Sequence, residues 1–149
     1  MLNQKLLSEI LQTQFSFTPD QIKKFEKQAA KSEQDLASFL VHKDLVDENT
    51  LYQHAAESLH VPFVSLNGKE IKKDVLNLVP PALAQTHNIV AFEKNKNTLS
   101  VAMLDPEDIQ TIEFLKRKTG LFLDVYLTTP TDVKDALRRY HAELDQDIK

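Results

Sequence analysis

A chain of 149 residues, 42% hydrophobic and 27% charged, is long enough for one ordinary domain or two small ones and too apolar to be disordered. It contains no cysteine, which excludes disulfides, thiol nucleophiles and thiolate metal sites and fits a reducing cytosol. A formal charge of −4 and a pI near 5.7 argue against the clustered basic surface that nucleic acid or anionic lipid requires, leaving proteins or small molecules as partners.

Met1-Leu2-Asn3-Gln4-Lys5 is not the basic stretch and apolar core of an export signal, and Glu9 and Gln12 interrupt the early apolar residues. No run approaches the roughly eighteen apolar residues of a membrane span, so no direct membrane insertion is expected. A repeat comes next. Leu7, Leu11, Phe17, Thr18 and Ile22 recur as Leu36, Leu40, Val46, Asp47 and Leu51, a shift of 29 positions. Each copy reads as a short amphipathic helix, a turn and a second helix. Thr18, followed by Pro19 at the first helical position, caps one second helix and Asp47 the other. Residues 1–60 are thus predicted to form a subdomain of tandem helical hairpins. It has six lysines, no arginine and nine acidic residues, the wrong balance for a groove-reading helix-turn-helix.

After His60 the composition shifts. Val61-Pro62-Phe63-Val64-Ser65-Leu66 is predicted to be extended, Asn67-Gly68 to turn, and a short helix to begin at Pro81. Ile89-Val90-Ala91-Phe92 and Leu99-Ser100-Val101-Ala102-Met103 read as a hairpin around the polar stretch Glu93 to Thr98, with Asn95 and Asn97 as turn residues. Asp105, with Pro106 behind it, is the expected N-cap of a helix bearing Ile109, Ile112 and Leu115 and ending at Thr119-Gly120. A strand then places Leu121, Leu123, Val125 and Leu127 on one face. Thr129-Pro130-Thr131-Asp132 opens a last helix with Val133, Ala136, Leu137, Tyr140 and Leu144 in its stripe. The fold class is α+β: the hairpin repeats, a three- to four-stranded α+β docking domain over 61–144, and a polar tail or start of a linker at 145–149.

The chemistry-bearing residues do not converge. A phosphate-wrapping P-loop needs closely spaced glycines, and the chain has only Gly68 and Gly120. Ser8, Ser65 and Ser100 lack the glycines of a nucleophile elbow. His42, His54, His60, His87 and His141 have no metalloprotease spacing and read as surface or boundary residues. Asp105, Glu107 and Asp108 sit where a helix N-terminus favours acids. Lys116-Arg117-Lys118 and Arg138-Arg139 would make an anion patch if their helices lay side by side; otherwise they are solvated helix faces. Phe15, Phe17, Phe25 and Phe39 are core fillers by spacing, too many for all to be buried, which leaves an apolar docking surface on the helical half. No catalytic, cofactor-binding or metal-ligating residue is assigned.

From Val61 to Tyr140 the order of these elements resembles the N-terminal domain of type II secretion and type IV pilus assembly ATPases. Val101-Ala102-Met103-Leu104-Asp105-Pro106 followed by Thr119-Gly120 is the most specific part. The helical half is similar to that family's tandem repeat, which in many members binds cyclic di-GMP through Arg-Leu-Gly at each repeat start, a turn Gly and a terminal Gln. Here the Arg positions fall on Leu6 and Asp35, the first Gly positions on Ser8 and Ala37, the turn glycines on Phe15 and Asp44, and the Gln positions on Ala29 and Ser58. A side chain at a former Gly blocks close approach, and Asp35 repels phosphate. The resemblance implies a non-catalytic docking or regulatory segment, without cofactor, of a hexameric ATPase. Its expected partner is the cytoplasmic part of an inner-membrane platform protein, which would hold it in the cytoplasm at the membrane. The alternative it implies is a nucleotide sensor with altered contacts.

Overall fold

A computed structural model describes residues 3–148, with side chains for residues 3–139. It divides into two compact units, Met1–His60 and Val61–Lys149. The first contains α1 (Gln4–Gln14), α2 (Pro19–Lys31), α3 (Leu36–His42) and α4 (Glu48–Leu59), with α1 packed on α4 and α2 on α3. The 29-residue shift is physical: Leu11 and Leu40 are fully buried, as is Leu51, and Ile22 is nearly so. The caps stand where the sequence places them. Thr18 and Gln21 form a reciprocal capping box at 3.1 and 2.9 Å, and Asp47 accepts from the Thr50 amide at 3.0 Å and hydroxyl at 2.8 Å.

Helices α2 and α3 end in the same way. Gln34 N–H bonds the Ala29 carbonyl and Glu33 N–H that of Ala30; Leu45 bonds Leu40 and Asp44 bonds Val41 in the same pattern. These are Schellman stops, whose left-handed residue is usually glycine. Here it is Glu33 at φ +56° and Asp44 at φ +57°. Glu33→Gly and Asp44→Gly are each expected to stabilise the helical unit by about 1 kcal/mol, read by urea unfolding.

The second unit contains α5 (Lys73–Leu76), α6 (Pro81–His87), β1 (Ile89–Asn95), β2 (Thr98–Met103), α7 (Ile109–Thr119), β3 (Phe122–Leu127) and α8 (Pro130–Ile148). Its three-stranded sheet has the order β1-β2-β3, antiparallel between β1 and β2 and parallel between β2 and β3. The hairpin is tighter than its polar stretch suggests, because Glu93 to Asn95 continue β1 and only Lys96-Asn97 turn, with Lys96 at φ +54°. Alternation divides the side chains between two layers. Ala91, Leu99, Val101 and Met103 face Ile112 and Leu115 of α7. Val90, Phe92 and Ala102 face Val133 and Ala136 of α8.

Two expectations need correction. Asp105 is not the N-cap of α7; it closes a turn, accepting from the Glu107 amide at 3.1 Å, and Asp108, three residues further on, caps the helix. Asp108 wins that role because Thr111 and His87 both bond its carboxylate. Residues 61–66 run alongside the sheet through a parallel bridge between Phe63 and Leu127, and the sheet has three strands, within the expected three to four. The backbone of α8 stays helical to Ile148 where a polar tail was expected from Asp145, since neither Gly nor Pro interrupts it. The side chains of Tyr140, His141 and Leu144 lie outside the described residues.

Candidate functional site

On the helical unit, the positions that the family resemblance marks for a ligand are occupied by groups with other work. Asp35 is the N-cap of α3 and accepts from the Ser38 amide at 2.7 Å. Ala29 and Ala37 are buried in the core. Ser8 accepts from Gln12 at 3.1 Å, Leu6 is half-buried and Ser58 is exposed. Phe15 stands edge-on to His54 at 6.0 Å. Only Asp44 keeps the left-handed backbone of a turn glycine, and it does so with a carboxylate in place of the missing side chain. Around them Phe17, Phe25 and Phe39 form a row with ring centroids 5.9 and 6.3 Å apart. Phe39 is buried and Phe17 and Phe25 are half-buried, with Lys43 over the Phe39 ring at 5.9 Å. Tyr52, on α4, is buried, which pushes its phenol well above the ordinary range.

The second unit brings together residues that the sequence does not connect. Thr129 caps α8 by accepting from the Asp132 amide at 3.1 Å. The Asp132 carboxylate, 7% exposed, accepts from the Leu66 amide at 2.9 Å and from Ser65 and Thr128 hydroxyls at 3.4 Å. About two turns further along α8, Arg139 donates to the Lys69 carbonyl at 2.7 Å and Arg138 pairs with Asp135. These contacts border an open cleft of about 510 Å³ between the Asn67-Gly68 turn and α8. Its two arginines are matched by Asp132 and Asp135, so it presents no net positive field.

The basic runs do not combine, because α7 and α8 cover opposite faces of the sheet. Lys116 instead pairs with Glu113 at 3.3 Å. Among the described residues no three His, Asp or Glu side chains gather as a metal site. His42 bonds Gln34 at 2.9 Å and His54 lies 3.8 Å from Glu57. His87 at the end of α6 meets Asp108 at 3.1 Å, a pair 21 residues apart that no local pattern announces. Partial burial pushes the Asp108 carboxyl up, but the Thr111 bonds and His87 outweigh it and hold the group below its ordinary 3.8. Its contribution to stability is therefore complete above pH 3.8 and is lost as pH falls through the lower folded value. Asp108→Asn should flatten that acid limb of the stability curve. Identical pH profiles for the two proteins would show that the pair does nothing.

The arrangement offers capping, packing and two mixed-charge surfaces. No helix among the described residues is long and apolar enough to cross a membrane. The MshEN domain family matches residues 59–147. The type IV pilus assembly ATPase PilB of Myxococcus xanthus is 26% identical over 137 residues, covering 92% of this chain. PilB of Thermus thermophilus is 30% identical over 111 residues, covering 73%. The chain spans only 24% and 12% of the lengths of these two relatives. Among solved structures, MshE with cdg superposes with a TM-score of 0.67 at 20% identity, over 90% of this chain and 97% of that one. The N-terminal domain of XpsE follows at 0.63 and 18% identity, over 94% and 99%.

Proposed function

Because the chain belongs to the MshEN domain family, and with it to the N-terminal domains of type II secretion and type IV pilus assembly ATPases, we propose that it is a docking and regulatory segment. In this reading it attaches a hexameric motor to the cytoplasmic part of an inner-membrane platform protein and performs no chemistry itself. The observation that supports docking over ligand sensing is Asp35. At the position where an arginine would meet phosphate, a carboxylate bonds the first turn of α3. Charge and geometry at that point both oppose an anionic ligand.

The competing reading, a sensor with altered contacts, has the MshE structure with cdg in its favour. Calorimetry separates the two. Titration of cyclic di-GMP into the full chain is expected to give no heat up to high micromolar ligand, while the cytoplasmic region of the platform protein from the same genome gives a saturating isotherm. Heat from the dinucleotide and none from the protein would reverse the assignment.

A further inference from the structure

The outer edge of β3 is left unpaired, and two sets of bonds fix which main-chain groups point into the gap. Phe122 N–H bonds the Asn97 carbonyl at 2.8 Å and Thr128 N–H bonds that of Met103 at 3.1 Å, so the even-numbered residues face β2. Leu127 faces outward, donating to the Pro62 carbonyl at 2.8 Å and accepting from Val64 N–H at 3.0 Å. By strand alternation the donors and acceptors of Leu123 and Val125 also face outward, and among the described residues no main-chain group meets them. The other edge of the sheet is defended: β1 is bulged between Ala91 and Glu93 and ends in exposed Glu93, Lys94 and Asn95. Edge β3 has no bulge. Its outward neighbours on the α8 face are Phe122, 72% exposed, Asp124, exposed, and Tyr126, half-buried.

We propose that this edge takes an extended segment of the platform protein as an added strand, continuing the line of the Pro62–Val64 bridge, with an apolar side chain on Phe122 and a lysine or arginine opposite Asp124. The inference rests on the docking reading above. Four unpaired main-chain groups supply the affinity of strand addition, and the two side chains supply its selectivity. Asp124 is the only charged side chain on β3. It disfavours a second copy of the same edge, which would bring like charges together, and favours a basic partner.

The test is amide hydrogen exchange on the full chain, alone and with the purified cytoplasmic region of the platform protein. Leu123 and Val125 amides are expected to exchange freely in the chain alone and to slow by at least about tenfold in the complex, while Asp124 and Tyr126 are slow in both. Phe122→Ala and Asp124→Lys, both at exposed positions, should each weaken binding by about tenfold with an unchanged circular dichroism spectrum. Binding without protection at Leu123 and Val125, or binding indifferent to both substitutions, overturns the strand-addition site and leaves docking intact. Protection that depends on the concentration of the chain alone assigns the edge to a second copy and overturns the proposal. A platform region that does not bind at all removes the docking reading, and this inference with it.

Discussion

Asp132→Ala is expected to cost the Val61–Lys149 unit about 2–3 kcal/mol, the size of a lost buried charge-assisted bond together with a stranded donor. The carboxylate is 7% exposed and holds the Leu66 amide at 2.9 Å across 66 residues of chain. Leu66 is itself buried, so its N–H loses its acceptor within the folded unit once the carboxylate is gone. The same carboxylate receives the Ser65 and Thr128 hydroxyls and stands in the first turn of α8, where the helix dipole favours a negative charge. Thr129 continues to cap the helix through the residue-132 amide, so α8 should survive while its tie to the Leu66 turn is lost. Asp132→Asn, which keeps an acceptor of the same shape, should recover about half of the loss. Urea unfolding reads both variants, and a cost for alanine below about 1 kcal/mol would mean that the turn relaxes and hydrates the amide.

That tie also marks the limit of what can be read from one chain. Helix starts at Thr18, Asp47 and Thr129 are legible because a cap and the amide it bonds lie three residues apart. The repeat is legible because the same apolar frame is written twice. Helix α5 escapes notice because Lys72 gives it no side-chain cap and it has only four residues. At α7 three acids compete within four positions, and the winner is decided by His87, which arrives from another helix. Periodicity cannot supply that information.

The same division governs the candidate site. The family resemblance marks Leu6, Ser8, Asp35 and Asp44 among its ligand positions, and the 29-residue shift relates those on one hairpin to those on the other. What the residues at those positions do needs the structure: Asp35 as a cap, Asp44 holding a glycine conformation, Ala29 and Ala37 absorbed into the core. The clefts and edges of the second unit have no sequence signal. Asp132 with Leu66, Arg139 with Lys69 and the vacant side of β3 are products of topology, assembled from segments tens of residues apart.

Leu40→Ala, the second large effect, should destabilise the Met1–His60 unit by about 3–4 kcal/mol, and Leu11→Ala by a similar amount. Both side chains are fully buried and both sit at the same place in their hairpins. Deleting either leaves a cavity in the core of the unit, so the loss includes the cavity as well as the transfer of the leucine side chain. Leu40 also supplies the carbonyl that stops α3, but that bond is main-chain and survives the substitution. Ser58→Ala, at an exposed former ligand position, should stay within about 0.5 kcal/mol. The contrast separates the buried apolar frame, which is under structural demand, from an exposed position that is not. A Leu40→Ala cost near that of Ser58→Ala would remove the physical basis for reading the repeat as a folded scaffold.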